Sequence, residues 1–328
     1  MRGAIGYARK ALGLSRFIPL EAVPLPGRGS DRSFFRLKWS SAGSAILVRY
    51  DPKRQENAYY ADIALFLHEI AVSVPMLISH DPKRCLMIME DLGDRDLWSL
   101  REVPWERRKV FYRKILAIIH KLHSFPEKLF PASKVRIMEG FGPELYRWER
   151  DYFRDHFVKG LCGIELDPVS ADNLEMELSA LAERLHRTGR CLIHRDLQSQ
   201  NVMILSGEPF LIDFQGMRFG SLFYDLGSLL CDPYVVFSLQ ELGELLLFYY
   251  KLTTRDLDWP AFQEHFWEAS AQRLMQALGA YAFLGRRKGL KTFLDHIPAG
   301  LRNIQRAASS CGTLPRLQEL ARACQASL

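Results

Sequence analysis

The chain has 328 residues, 48% hydrophobic and 25% charged, the proportions of an ordinary soluble protein with core enough for two domains or lobes. Its 44 Lys and Arg against 38 Asp and Glu leave a formal net charge of +6, dispersed in short clusters such as "RRK" at 286–288, with aromatic residues at core spacings; this argues against a nucleic-acid-binding stripe. The six cysteines include no CxxC pair, no apolar run reaches the ~18 residues of a membrane span, and "MRGAIGYARKALGL" lacks the apolar centre of a signal peptide, so a cytoplasmic chain with reduced thiols and no membrane partner is expected.

In chain order, "PLPGRGSDRSFFRL" sets Gly29 and Ser30 ahead of a strand. Such a turn either closes over phosphates through its backbone N–H groups or is a plain Gly/Ser β-turn. "SFFRLKWS" and "SAILVRYDP" have the aromatic and β-branched character of a hairpin turning near 41–44. Residues 57–70 put Ala61, Ala64, Leu65 and His68 on helical spacing. A strand, "CLMIMEDLG", follows and stops at a glycine. From 104 onward the pattern turns to long helices, predicted over 104–123, 143–159, 172–188, 238–252 and 259–285. The expected class is therefore α+β, with a β-rich N-lobe over 1–91 and a mainly helical C-lobe over 92–328. No internal repeat or low-complexity linker interrupts it.

The exception to the helical run is "CLIHRDLQSQNVMILSGEPFLIDFQG" at 191–216. Asp196 lies five residues before Asn201, and Asp213 twelve after it. Between the last two, "VMIL" and "FLI" flank the turn "SGEP", which predicts two short strands folded back so that Asn201 and Asp213 come alongside each other. An amide and a carboxylate at neighbouring strand ends suit Mg²⁺, a hard cation that accepts few protein ligands and completes its shell with phosphate oxygens. Asp196, just upstream, is then placed to accept a proton from a hydroxyl that attacks the terminal phosphate.

"HRDLQSQN" followed by "IDF" resembles the catalytic loop and metal-binding motif of the protein-kinase-like fold, and in particular the aminoglycoside phosphotransferase family of small-molecule kinases. With "YDLGSLL" and "MEDLGDRDL" the chain is similar to bacterial anomeric sugar kinases acting on N-acetylmuramate or N-acetylglucosamine in cell-wall recycling, over roughly 25–305. The resemblance implies a two-lobed fold, ATP and Mg²⁺, Asp196 as catalytic base and Asn201 and Asp213 as metal ligands. It further implies backbone hydrogen bonds from Met89, Glu90 and Asp91 to adenine, with Gly29 and Ser30 covering the phosphates. His194 reads as orienting the loop. Asp225 reads either as an N-cap of "DLGSLL" or, by the family likeness, as a brace for the catalytic loop. The strand lysine that most such folds aim at the α and β phosphates is missing. Arg49 stands at the nearest position, either as a phosphate contact or facing solvent, and it is not a conservative replacement.

The interval "DFQGMRFGSLFYD" from Asp213 to Asp225 is too short for the peptide-docking segment of a protein kinase, so a small-molecule hydroxyl is the expected acceptor. In 143–159, Leu145, Trp148, Tyr152 and Phe153 form an apolar face that Glu149 adjoins. The helix either offers a sugar a carboxylate beside an aromatic ring or is amphipathic with Glu149 in solvent. Arg195 joins Glu149 as a candidate substrate contact, and Trp267, Arg273 and Tyr281 are weaker ones. Aminoglycosides are polycations, and the basic balance of the chain agrees better with a neutral or anionic sugar. Choline, homoserine and aminoglycoside kinases stay as alternatives, as does a non-catalytic nucleotide-binding protein of the same fold.

Overall fold

The computed structural model of the chain describes residues 2–27, 32–39, 43–253 and 257–328. Its elements begin with α1 (Arg2–Ala11), β1 (Glu21–Leu25), β2 (Ser33–Lys38), β3 (Ser44–Arg49), α2 (Gln55–Glu69), β4 (Leu77–Asp81) and β5 (Leu86–Glu90). There follow α3 (Trp105–His123), α4 (Pro143–Tyr152), α5 (Pro168–Arg187), β6 (Cys191–Ile193), β7 (Val202–Leu205), β8 (Glu208–Leu211) and β9 (Arg218–Gly220). The chain ends with α6 (Leu222–Leu230), α7 (Leu239–Leu252), α8 (Trp259–Arg286), α9 (Ile297–Cys311) and α10 (Pro315–Ser327). The turn expected near 41–44 and the Gly29–Ser30 turn fall largely or wholly outside the described residues.

The chain divides into two compact units. The first comprises Met1–Arg95, Pro131–Met138 and Val202–Gly216. Its antiparallel sheet has the order β1-β2-β3-β5-β4, and β2 and β3 pair from Ser33↔Arg49 to Lys38↔Ser44, the expected hairpin. On one face Leu37, Ala45, Leu47, Leu86 and Ile88 pack against Ala8 of α1. On the other, Tyr60 of α2 donates from its hydroxyl to the Met89 sulfur at 3.5 Å. A single cut after residue 91 was expected. Instead the β7–β8 hairpin belongs to this unit, because Ile204 N–H bonds the Arg95 carbonyl and Leu211 N–H the Ser73 carbonyl, each at 2.8 Å.

The second unit comprises Asp96–Phe130, Glu139–Asn201 and Met217–Leu328. Its axis is α8, with Phe262, Phe266, Leu274, Met275 and Leu278 buried along its length and α4, α6 and α9 packed on it. Gly227 lets α6 meet α8 backbone to backbone: a Cβ there would lie 2.8 Å from the Ser270 Cα. The helix predicted over 143–159 changes at Tyr152 from α to a π-helical turn, Phe153–Lys159. The helix predicted from 172 begins earlier, at Pro168, where the Asp167 carboxylate caps Val169 N–H and Ser170 N–H. Among the described residues no helix is long and apolar enough to cross a membrane.

Candidate active site

In the second unit β6 delivers the His194-Arg195-Asp196 turn, fixed by pairing of Cys191, Leu192 and Ile193 with Gly220, Phe219 and Arg218 of β9. Arg195 has φ +79°, a left-handed backbone that a non-glycine residue keeps only when its surroundings enforce it. Asp225 supplies that enforcement. Wholly buried, it accepts from His194 N–H at 2.6 Å and Arg195 N–H at 2.8 Å. Its Oδ2 also meets His123 Nε2 at 3.1 Å, and His123 Nδ1 lies 2.7 Å from the Tyr249 hydroxyl. Asp225 is not the N-cap that its place before "LGSLL" suggested. Ser221 precedes the helix, and Asp225 lies within its first turn, directed at the loop.

Asp196 sits between two guanidinium groups. Arg195 Nη1 is 2.9 Å from its Oδ2, and Arg273 Nη2 of α8 is 3.1 Å from its Oδ1. Arg273 is itself buried and held by the Ser228 hydroxyl at 3.2 Å and by Gln276. Burial pushes the Asp196 carboxyl up, but the charges of Arg195, Arg273 and His194 outweigh it and bring it to about 2. Asn201 Nδ2 donates to the Asp196 carbonyl at 2.9 Å. Beneath them the buried Asp232 accepts from Ser199 N–H at 2.7 Å and Tyr234 N–H at 3.0 Å, so the turn leading into Asn201 has its own anchor.

In the first unit β7 and β8 form the predicted hairpin, paired from Val202↔Leu211 to Leu205↔Glu208. Asp213 follows at φ +65°. Its Oδ1 accepts from Gln215 Nε2 at 2.9 Å and pairs with Arg32, whose Nη1 also donates to Gln215 Oε1 at 3.0 Å. Phe214 is buried and stacks on Tyr60, with ring centroids 4.5 Å apart. At the end of β5, Glu90 bonds Met76 through both backbone and carboxylate. The Asp91 carboxylate is gripped by Arg36 and by Gly93 N–H. Both acids thus have their side chains engaged within the unit. Arg49 is exposed, and pairing opposite Leu86 sets it on the face that carries Ala45, Leu47 and α1. Tyr60 and Phe214 lie with α2 on the opposite face, and of the two readings of Arg49 the solvent-facing one agrees with this register. Glu56 of α2 lies 3.8 Å from Arg54.

Among known proteins, the profile of the phosphotransferase enzyme family matches residues 21–265. The chain belongs to this family. Curated relatives named N-acetylmuramate/N-acetylglucosamine kinase are 24% identical over 92% of this chain and 88% of theirs in Pseudomonas aeruginosa, and 25% identical over 88% and 86% in Neisseria meningitidis. A methylthioribose kinase of Pectobacterium atrosepticum is 22% identical over 69% and 62%. Among solved structures, the choline kinase LicA from Streptococcus pneumoniae superposes with a TM-score of 0.58 at 16% identity, covering 95% of this chain and 99% of that one. An ADP-bound aminoglycoside phosphotransferase superposes at 0.60 with 13% identity, covering 92% and 97%. The fold is that of the protein-kinase-like small-molecule kinases, and the expected enzyme class, a small-molecule kinase, stands with it.

Within this phosphotransferase the helix α4 departs from its expected use. Glu149 is neither in solvent nor beside an open tryptophan face: it is wholly buried, its Oε1 accepting from the Tyr224 hydroxyl at 2.7 Å and its Oε2 from Gln272 Nε2 at 3.0 Å. Burial pushes its carboxyl up, against the pull of Arg195 and these hydrogen bonds. Trp148 points the other way, half exposed and stacked on Tyr152. The buried face of α4 is Tyr146, Glu149 and Arg150, because α8 meets it with polar Gln272 as well as apolar groups. Trp267 and Tyr281 are buried.

Sequence reading missed Arg32, His123 and Asp232, and ranked Arg273 low. The available signals were faint: an Asp-Pro step at Asp232, and an arginine inside a helix whose other turns are buried all round.

Among the described residues no group of three or more His, Cys, Asp or Glu is placed to hold a metal. The donors present still suit a hard cation taking few protein ligands. In the second unit Asn201 spends its amide N–H on Asp196, which leaves its Oδ1 as an available oxygen donor; in the first, Asp213 keeps its carboxylate at about one-third exposure, 30%.

Proposed function

We propose that this phosphotransferase is an ATP- and Mg²⁺-dependent sugar kinase, acting in the cytoplasm on the anomeric hydroxyl of an amino sugar such as N-acetylmuramate or N-acetylglucosamine, as in cell-wall recycling. The observation that carries the reading is the loop at 194–196: a left-handed arginine pinned by a buried carboxylate, presenting an Asp196 that stays ionised between two arginines. Asp196 accepts the acceptor hydroxyl and orients it toward the phosphoryl group; in phosphoryl transfer most of the barrier is lowered by alignment and charge neutralisation. Asn201 and Asp213 would hold Mg²⁺, which when bound neutralises charge on the transferring group. The backbone at the end of β5 would meet the adenine.

The charge around Asp196 supports the choice of acceptor. Arg195, Arg218 and Arg273 act on it and on Glu149, while the buried Asp225 and Asp232 brace the loop from behind through its backbone N–H groups. The carboxylate open to the acceptor is already paired with two arginines, which agrees better with a neutral or anionic sugar than with a polycationic aminoglycoside or a quaternary amine. The relatives named for amino-sugar kinases, matching about nine-tenths of the chain, support the same class. The test is ATP consumption with and without Mg²⁺ across N-acetylmuramate, N-acetylglucosamine, methylthioribose, kanamycin, choline and homoserine. Stimulation by an amino sugar is expected; preference for a cationic acceptor, or no stimulation by any, would refute the proposal.

A further inference from the structure

We infer that Arg32 is the phosphate-side cation of the nucleotide site and, before nucleotide arrives, the counter-ion that neutralises Asp213. The inference rests on the nucleotide-dependent reading above. A kinase-like site needs a positive group on the nucleotide phosphates besides its metal, and β3 does not supply one. Arg49 lies on the α1 face of the sheet, and the next position on the α2 face, Val48, is apolar and 1% exposed.

Arg32 stands where Arg49 does not. It immediately precedes β2, its side chain is only 9% exposed, and its guanidinium rests over the Phe34 ring at 5.4 Å. The same guanidinium pairs with Asp213 and reaches Gln215 Oε1 at 3.0 Å, while Gln215 Nε2 returns a hydrogen bond to Asp213 Oδ1. These three groups form a closed ring of polar contacts around the carboxylate assigned to Mg²⁺. A largely desolvated arginine cannot be left without an anion, so a metal that takes Asp213 must bring Arg32 a replacement. A magnesium nucleotide does so, since its phosphate oxygens accept the planar fork of a guanidinium as well as a carboxylate does. Metal and nucleotide are thereby coupled through one side chain: each binds better with the other than alone.

Calorimetry on the full chain tests this, with ADP plus Mg²⁺, adenosine, and Mn²⁺ alone as probes. Arg32→Gln should weaken ADP by roughly 10- to 100-fold, the range for loss of one hydrogen bond to a charged group, and leave adenosine unchanged. It should also tighten Mn²⁺ binding in the absence of nucleotide, because a competing cation has gone. A role limited to packing would not produce that gain. Arg32→Lys should recover part of the ADP affinity, and Arg49→Ala should match wild type for all three probes. Unchanged ADP affinity in Arg32→Gln, an equal loss for adenosine, or weaker Mn²⁺ binding would overturn the inference. Wild-type protein that binds no adenine nucleotide would instead sink the kinase reading on which it stands.

Discussion

Asp225 is the residue whose removal tests most of the catalytic-loop geometry at once. Its carboxylate is wholly buried and accepts from two backbone N–H groups, of His194 and Arg195, and from His123. Asp225→Ala leaves those donors in a site that water does not reach, at about 1–3 kcal/mol for each unpaired group. It also releases Arg195 from a left-handed conformation that costs about 1–3 kcal/mol to hold, so relaxation of the turn recovers part of the loss. The net expectation is ~3–6 kcal/mol of destabilisation, a large share of the ~5–15 kcal/mol that holds a typical domain together, read by urea unfolding followed by fluorescence and circular dichroism. Asp225→Asn separates folding from function. It keeps one acceptor oxygen and turns an amide toward the other backbone donor, so the chain folds with a loss of about 2 kcal/mol. Meanwhile Arg195 and Asp196 shift, and kcat falls on the order of 10²-fold, the usual cost of a displacement near 1 Å at a reacting centre. A Asp225→Ala unfolding free energy within ~1 kcal/mol of wild type, or an Asp225→Asn enzyme with wild-type kcat, would refute the bracing role.

Asp196→Asn should keep nucleotide binding by calorimetry and lose roughly 10²- to 10⁴-fold in turnover; wild-type turnover would remove the residue from the chemistry. Because Asp196 lies at about 2, below the ordinary carboxylate value, its stabilising ion pairs are intact above pH ~4 and are lost as pH falls toward 2. Acid unfolding of Asp196→Asn should therefore be shallower than wild type in that window, and identical slopes would contradict the assignment. Glu149 shifts the opposite way, raised by burial, so the folded state resists its ionisation and stability is given up as pH rises above ~4. Glu149→Gln should gain on wild type as pH rises past that point in urea unfolding, and a difference independent of pH would refute this. Asp213→Ala should abolish the Mg²⁺ dependence of nucleotide binding; a retained dependence would move the metal elsewhere.

What could be read from sequence, and what could not, follows from the range of the interactions. The β7–β8 hairpin and the Asp196 and Asn201 spacing are local: turn chemistry and alternation over ten or so residues specify them, and the Asn201 side chain does bond the Asp196 backbone. The units' membership was not legible, because two hydrogen bonds to residues more than a hundred positions away assign the hairpin to the first unit. Glu149 was misjudged for a related reason. Its helix is amphipathic by the ordinary pattern, but Tyr224 and Gln272, 75 and 123 positions away, receive it as a buried polar group. The choice left open for Arg49, phosphate or solvent, turns on strand register, since in a strand one residue is a change of face, and pairing opposite Leu86 sets it exposed on the α1 face.

The surroundings of Asp196 constrain what it does on the proposed reading. A carboxylate near 2 is too weak a base to remove a sugar hydroxyl proton in the ground state, so the proton must transfer late, as bonding to phosphorus raises the acidity of the attacking oxygen. Until then the carboxylate serves to align. Each of its oxygens has two acceptor sites, and Arg195 and Arg273 occupy one on each. The arginines thus hold the carboxylate plane fixed while a second site on either oxygen stays available, and the side chain is 25% exposed to whatever enters. The two arginines trade basicity for position, which is the exchange that a loose phosphoryl transfer rewards.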